Sequence, residues 1–158
     1  MNFERRDIFN IFINNKDLDF SIRPPHSGNE LNFSECLTCE DLACVKTCPE
    51  NILKFSQKNG VEIDFYYSGC SYCGDCVSVC QKKVLNFDNP KIISGKIELD
   101  ILSCVAWHGV ICSSCRDGCL SNSIKFIGMF RPEIDLNSCN NCGFCISRCP
   151  NNSISIKK

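Results

Sequence analysis

Hydrophobic and polar residues alternate in short stretches that recur four times along the chain. Each stretch follows a cysteine and carries apolar residues two positions apart, in the segments CPENILKF, CQKKVLNF, CLSNSIKF and CPNNSISI. Aligned on that cysteine, the apolar pairs are Leu53 and Phe55, Leu85 and Phe87, Ile124 and Phe126, and Ile154 and Ile156. Residues two apart lie on one face of a strand. The pattern therefore predicts four short, half-buried strands.

A second apolar pattern precedes the cysteine-rich loops and predicts partner strands. It occurs in the segments ELNF from Glu30, EIDF from Glu62, ELDI from Glu98 and EIDL from Glu133. The stretch from Gln57 to Gly60 has the composition of a turn and would join two such strands. We expect a repeating unit of strand, cysteine loop, one or two helical turns, and strand. Four units would make two pseudo-symmetric halves, 29–90 and 91–158, after an N-terminal segment 1–28.

Composition limits the classes of protein that this chain can represent. Of 158 residues, 16 are cysteine, and without them the hydrophobic fraction falls from 44% to about 34%. So thin a core needs disulfides or metal to stay folded. No apolar run approaches the roughly 20 residues of a membrane-spanning helix. The 17 basic and 18 acidic residues argue against nucleic-acid binding through bulk charge.

The N-terminal sequence favours a reducing compartment. Arg5 and Arg6 precede an apolar stretch from Ile8 to Ile13, but that stretch is short, is broken by Asn10, and lacks a small-residue cleavage site. These features are not those of a secretory signal peptide. We therefore expect a cytoplasmic protein, in which cysteines stay reduced and bind metal rather than form disulfides.

All sixteen cysteines fall into four groups of four. The groups are Cys36-x2-Cys39-x4-Cys44-x3-Cys48, Cys70-x2-Cys73-x2-Cys76-x3-Cys80, Cys104-x7-Cys112-x2-Cys115-x3-Cys119 and Cys139-x2-Cys142-x2-Cys145-x3-Cys149. The regular spacing, with proline after Cys48 and Cys149, is typical of bacterial [4Fe–4S] ferredoxins. We therefore expect four [4Fe–4S] clusters in an α+β fold of tandem, ferredoxin-like dicluster halves.

In two-cluster ferredoxins the fourth cysteine of a group ligates the other cluster of the pair. That rule predicts four ligand sets: Cys36, Cys39, Cys44 and Cys80; Cys70, Cys73, Cys76 and Cys48; Cys104, Cys112, Cys115 and Cys149; and Cys139, Cys142, Cys145 and Cys119. A rival scheme pairs the first group with the fourth and the second with the third. Under that scheme Cys48 would share a cluster with Cys139.

Three other interpretations of the cysteines remain open. Zinc sites made only of cysteine use two separated C-x2-C pairs, which differ from these triplets. Structural disulfides between cysteines two residues apart would form strained rings. In the third group the seven-residue gap is irregular, so Cys104 could be a buried non-ligand, and that cluster is the least certain of the four.

The sequence offers no candidate for substrate chemistry. It lacks a Ser/His/Asp set, a phosphate-binding glycine loop and a recognisable general acid–base pair. We therefore expect no catalytic residues and no enzyme activity of its own.

Gly74 and Gly143 directly follow ligand cysteines, where glycine can take a positive φ and bring backbone N–H groups near cluster sulfurs.

With these groups in place, nearly the whole chain resembles the NapF family of ferredoxin-type accessory proteins of periplasmic nitrate reductases. The resemblance rests on Arg5-Arg6, on the segment IRPPHSG at 22–28, on the C-x7-C-x2-C-x3-C form of the third group and on the regular fourth group. The x4 gap of the first group departs from the x2 that we expect in many members.

The resemblance implies a cytoplasmic protein that helps the molybdenum-containing catalytic subunit to mature before export, by supplying or supporting its [4Fe–4S] cluster. Its partner would be the apo form of that subunit. Two alternatives stay open: a polyferredoxin that carries electrons to a redox enzyme, and a structural adaptor whose clusters only hold the fold.

Residues 1–28 would be a docking element or a cap, with Ile8, Phe9 and Phe12 on one face of a helix.

Overall fold

The computed structural model describes residues 21–28 and 33–157. The predicted helical face of Ile8, Phe9 and Phe12 therefore lies outside the described residues, as does most of the expected strand at 30–33. Within the described residues every regular element is only four or five residues long. None of the described helices is long and apolar enough to cross a lipid bilayer.

Five short helices in the described part of the chain each carry one of the cysteines. They are α1 (Ser34–Leu37), α2 (Ala43–Thr47), α3 (Asp75–Ser78), α4 (Ser114–Asp117) and α5 (Phe144–Ser147), with a 3₁₀ turn at Val105–His108. Gly74 precedes α3 with φ +86° and Gly143 precedes α5 with φ +82°. The positive φ predicted for these two glycines is therefore confirmed. It turns the chain out of the cysteine loop and into the helix at little steric cost.

Six four-residue strands pair into three antiparallel two-stranded sheets. The strands are β1 (Leu53–Ser56), β2 (Gly60–Ile63), β3 (Lys96–Leu99), β4 (Ile124–Ile127), β5 (Arg131–Ile134) and β6 (Ile154–Lys157). The hairpin β1–β2 pairs Leu53 with Ile63, and the hairpin β4–β5 pairs Ile124 with Ile134. The third sheet joins distant segments, because β3 pairs with β6 in the register Lys96 to Lys157. The mixed helix and hairpin architecture that the sequence predicts is confirmed.

The partner strands begin and end two residues earlier than the sequence pattern indicates. Strands β2, β3 and β5 each stop immediately before an aspartate, at Asp64, Asp100 and Asp135. In each case the carboxylate accepts a hydrogen bond from the N–H two residues later, at 2.9, 3.0 and 3.0 Å. This local turn competes with the strand ladder and ends it. The aspartates therefore start the cysteine loops instead of continuing the strands.

The tail after the second group does not form the predicted strand. Leu85 is buried, but Phe87 is 60% exposed, so the two side chains do not share a buried face. The Oδ1 of Asn86 accepts a hydrogen bond from the Asp88 N–H, and its backbone oxygen accepts one from Asn89. These contacts curl the chain after Leu85, which retains only an isolated bridge to Ser27. The expected pairing of Leu85 and Phe87 on one strand face was wrong.

The conspicuous segment at 22–28 packs against the first half of the chain. The N–H of Ile63 donates to the oxygen of Ile22 at 2.8 Å, and the Arg23 guanidinium lies 3.8 Å from the centre of the Phe33 ring. His26 is buried, and its Nδ1 lies 3.0 Å from the oxygen of Asn89. These contacts give the segment a structural role that its sequence did not disclose.

Two apolar cores hold the short elements together. The first contains Ile52, Val61 and Phe65, and it also takes in Ile93 and Ile156 from the later part of the chain. The second contains Ile97, Ile124 and Ile154. Cysteines pack against both cores. Ile93, which follows the predicted division at 90/91, is fully buried in the first core.

The four tails share one strained turn, three residues after the last cysteine of each group. Asn51, Lys83, Asn122 and Asn152 have φ between 51° and 54°, and each donates its N–H to the carbonyl of that cysteine. Asparagine tolerates this left-handed conformation better than lysine does. Position 83 is therefore the least favourable of the four.

We predict that exchanging these residues changes stability in opposite directions. Asn122→Lys should lower the free energy of unfolding by about 1 kcal/mol, and Lys83→Asn should raise it by a similar or smaller amount, because only the left-handed strain changes. The midpoint temperature for bleaching of the visible cluster absorption measures both. Asn122→Gly is the matched control and should leave the midpoint nearly unchanged. An unaltered midpoint in Asn122→Lys would contradict the assignment of strain.

Candidate metal centres

The first group of cysteines meets the last cysteine of the second group. One largely apolar cavity is lined by Cys36, Cys39, Cys44 and Cys80 together. Cys36 lies on α1 and Cys44 on α2, and Cys80 follows α3. The structure therefore brings together the four residues of the first predicted set.

The reciprocal set lines a second cavity. Cys48 lies there with Cys70, Cys73 and Cys76, against Pro24 and Ile63 among other apolar residues. Cys139, the partner of Cys48 in the rival scheme, does not line this cavity. Burial, together with like-charge repulsion from Cys48 and Cys73, raises the pKa of the Cys70 thiol to about 11. The structure thus places Cys48 beside the three leading cysteines of the second group.

The third cavity contains the cysteine whose role the sequence left open. Cys104 is buried and lines it together with Cys112, Cys115 and Cys149. The seven intervening residues include the 3₁₀ turn Val105–His108, and the Trp107 Nε1–H donates to the oxygen of Pro132 at 3.3 Å. The turn and its indole contact take up the extra length of the loop. Cys104 therefore lies with its expected set despite the irregular gap.

The thiols of the fourth set lie close enough to raise one another's pKa. Burial, together with like-charge repulsion from Cys142, Cys139 and Cys119, raises the pKa of Cys145 to about 12. Burial also raises the pKa of Cys142, with Cys119 and Cys139 contributing. These four are the residues of the last predicted set. All sixteen cysteines are unpaired by disulfides.

The chemistry of these donor sets fits an iron–sulfur core. Burial, together with like-charge repulsion from neighbouring cysteines, raises the thiol pKa to about 11 for Cys44 and Cys115 and to about 12 for Cys76. Thiolates crowded in an apolar cavity need a cationic partner, and thiolate is the form that binds metal. A [4Fe–4S] core would supply that charge and take one thiolate on each iron.

Each iron of such a core takes its own thiolate, so the thiolates of one set need not converge on a single point. In the parts of the chain that the structure describes, no three His, Cys, Asp or Glu side chains lie close enough to share one metal ion.

Backbone donors to three of the trailing cysteines were missed by the sequence reasoning. The Sγ of Cys80, Cys119 and Cys149 accepts an N–H from Leu85, Ser123 and Ser153, at 3.4, 3.2 and 3.2 Å respectively. The donor lies four or five residues after its cysteine, just beyond the left-handed turn. Such hydrogen bonds to sulfur help to set cluster reduction potentials. The recurring tail after each group was the signal that could have revealed them.

Cys119 differs electrostatically from the other perturbed thiols. Burial alone would raise its pKa, but the Ser121 hydroxyl and the N–H groups of Ser123 and Ile124 outweigh burial and hold the pKa below its usual value. Hydrogen bonds that favour the thiolate have this effect. Cys119 is therefore the best prepared of these sulfurs to carry negative charge.

Comparison with known proteins finds an iron–sulfur domain family and ferredoxin-type relatives. Residues 132–155, which include the whole fourth group, match the 4Fe–4S binding domain family. The chain is 30% identical over 139 residues to the ferredoxin-type protein NapF of Escherichia coli K12, which covers 85% of this chain and 83% of that protein. It is 33% identical over 132 residues to the ferredoxin-type protein NapF of Haemophilus influenzae, with 61% and 74% coverage.

A more distant relative is also a ferredoxin-type protein. The ferredoxin-type protein NapG of Escherichia coli K12 is 26% identical over 153 residues, with 81% of this chain and 65% of that protein covered. Together with the donor sets, these matches show that the chain binds [4Fe–4S] clusters.

We predict that anaerobically purified protein contains about sixteen iron and sixteen sulfide per chain, four clusters of four irons each. Chemical analysis of iron and acid-labile sulfide measures both. About twelve iron and twelve sulfide per chain would mean that one cluster is absent, and the irregular third set would be the first to test. Zinc without sulfide would contradict the whole assignment.

We predict that Cys48 and Cys80 serve different clusters. In a Cys36→Ala/Cys39→Ala background, which lacks the first cluster, iron should fall to about twelve per chain. Adding Cys80→Ala should cost no further iron, because its cluster is already absent. Adding Cys48→Ala should damage the cluster of Cys70, Cys73 and Cys76 and reduce iron to about eight. The reverse pattern would overturn the crossing.

Proposed function

The chain belongs to the family of ferredoxin-type NapF proteins, and we propose that it is a cytoplasmic accessory protein for maturation of the periplasmic nitrate reductase. In this proposal it supplies or supports the [4Fe–4S] cluster of the apo catalytic subunit before export. The observation that carries the proposal is the 30% identity to the Escherichia coli ferredoxin-type protein NapF along most of both chains.

The proposed cofactor complement is four clusters in two tandem, pseudo-symmetric dicluster halves, 29–90 and 91–158. The four predicted cysteine sets would be the ligands. Three shared cavities and the mutual pKa effects of the fourth set support this assignment. The hairpins β1–β2 and β4–β5, each following a trailing cysteine, support the internal repeat.

The exposure of one ligand supports a role in cluster transfer. Of the sixteen cysteines, all within the described residues, Cys73 alone is exposed. An acceptor thiol must reach a cluster iron to take the cluster over, and thiol exchange depends on access. The cluster of Cys48, Cys70, Cys73 and Cys76 is therefore the proposed donor.

The proposed partner surface follows from charge. Each oxidised core with four thiolates carries about −2, so four clusters make the formal net charge of −1 strongly negative. An apo-enzyme partner would then present basic or backbone N–H groups. The same charge would repel nucleic acid. The chain has no recognisable substrate chemistry of its own, and the proposal includes no enzyme activity.

A second candidate function is electron transfer. It is favoured by the backbone hydrogen bond, 2.6 Å long, between Cys70 and Cys142, which belong to different halves. The two functions differ in what the partner receives, a whole cluster or a single electron.

The maturation proposal predicts preferential capture of the apo-enzyme. Holoprotein on a resin should retain the catalytic subunit purified without its cluster, and should retain the mature subunit several-fold less. Iron transferred to the subunit, measured after separation, should accompany binding of the apo form. Equal capture of both forms without iron transfer would favour the electron carrier. Cys73→Ser should lower transfer more than binding if its cluster is the donor.

The N-terminal segment can be tested in the same assay. Deleting residues 2–20 leaves the packed segment 22–28 in place and removes no ligand. We expect near-normal iron content and visible absorption, with weaker capture of the apo-enzyme. Loss of clusters would make the segment a structural cap. Unchanged capture with intact clusters would exclude docking by this segment.

A further inference from the structure

The ligand loops of two different halves touch directly. The N–H of Cys70 donates to the backbone oxygen of Cys142 at 2.6 Å. Cys70 belongs to the second cysteine set and Cys142 to the fourth. Of the two, Cys142 is buried and Cys70 half-buried. The bond therefore joins the peptide that carries one proposed ligand to the peptide that carries another.

Close packing surrounds this hydrogen bond. Gly69 is buried, and a Cβ added there would lie 2.7 Å from the oxygen of Cys142 and even closer to the Phe144 nitrogen. The buried Phe65 ring covers Gly143 in the same way. No side chain larger than hydrogen fits at either glycine without movement. The two loops are thus as close as their backbones allow.

Side-chain hydrogen bonds lie beside this junction, one of them across the two halves and two within the second half. The Tyr72 hydroxyl donates to the oxygen of Asn140. The Asn141 Nδ2 donates to the oxygens of Ile93 and Gly95, at 3.1 and 2.7 Å. Tyr72 also lines the cavity of the second set, so its side chain joins that cavity to the loop that carries Cys139 and Cys142.

Within each half the neighbouring sets also adjoin. Helices α2 and α3 pack together and carry Cys44 of the first set and Cys76 of the second. Helices α4 and α5 pack likewise and carry Cys115 of the third set and Cys145 of the fourth. The contacts therefore run from the first set to the second, across the junction to the fourth, and then to the third.

We propose that the four sets form one continuous series for electron exchange, in the order first, second, fourth and third, with the junction at Cys70 and Cys142 as its central link. One electron leaves a reduced cluster and enters an oxidised neighbour, and no bond or proton moves. A one-electron donor at one end of the series supplies the electron, and an oxidised acceptor at the other end receives it. The inference rests on the proposed cluster sets but not on the maturation role.

The series makes a prediction that two independent dicluster halves do not. When the first cluster is removed, the second keeps a neighbour only if the halves are joined at the junction. Removing the second cluster isolates the first in both cases. Cys36→Ala/Cys39→Ala removes the first cluster, and Cys73→Ala/Cys76→Ala removes the second without altering Cys70.

The readout is electron paramagnetic resonance of fully reduced protein at two frequencies, which separates interacting spins from isolated ones. The variant without the first cluster should show about three spins per chain and no isolated signal, since each remaining cluster keeps a neighbour. The variant without the second should show about one isolated spin. An isolated spin in the first variant, with its three clusters reduced, would overturn the series.

A variant that keeps all sixteen ligands tests the junction itself. Gly69→Ala inserts a methyl group against Cys142 and should weaken the spin interaction across the halves at unchanged iron content. Gly118→Ala is the matched control, because its Cβ meets the flexible Arg148 side chain within one half. It should leave the spectrum unchanged. A wild-type spectrum in Gly69→Ala would contradict the junction even if the ligand variants lost every cluster.

The same measurements separate this inference from the proposed function. Sixteen iron per chain with an isolated spin in the variant without the first cluster would reject the series and leave the cluster sets standing. Fewer than four clusters in the wild type would reject the sets on which the series rests. Capture of the apo-enzyme bears on neither result.

Discussion

The fold depends on placing four cysteines, whose thiolate forms repel one another, around each cavity. Every described helix and strand is four or five residues long, which is too short for a helix to persist alone and marginal for an isolated hairpin. The cysteines contribute to both apolar cores, so the groups that would bind metal are also packing residues. When metal occupies such a site, its binding free energy is also folding free energy. The cluster core is then the centre around which the short elements are held.

The parts of this structure that follow from local sequence were predictable. The four cysteine groups, the hairpin at 57–60 and the positive φ of Gly74 and Gly143 depend on spacing and on local conformational preference. The ends of the partner strands were mispredicted because the apolar alternation continues through Asp64, Asp100 and Asp135, while each carboxylate bonds to its own backbone. Hydrogen-bond competition of this kind is not visible in a pattern of hydrophobic positions.

Contacts between distant segments could not be obtained from the same pattern. The pairing of β3 with β6 joins residues about sixty positions apart, and the exposure of Phe87 depends on a turn beyond Leu85. The junction between Cys70 and Cys142 lacks a sequence signature other than Gly69, which looks like an ordinary loop glycine. The internal repeat gave no reason to expect this junction, because two similar halves suggest two separate units whose ligand loops do not touch. The first core includes Ile93 and Ile156 from the later part of the chain, so apolar contacts join the two halves as well.

The two proposed activities place opposing demands on the second set. A cluster that is handed on needs an accessible ligand, and Cys73 is the exposed one. Yet this set occupies an inner position, between the first set and the junction with the fourth. Departure of its cluster would therefore disconnect the first cluster from the remaining two, the fourth and the third. Donation of the second cluster would therefore end conduction along the full series. A molecule that has given up the second cluster would regain the full series only after that site is refilled.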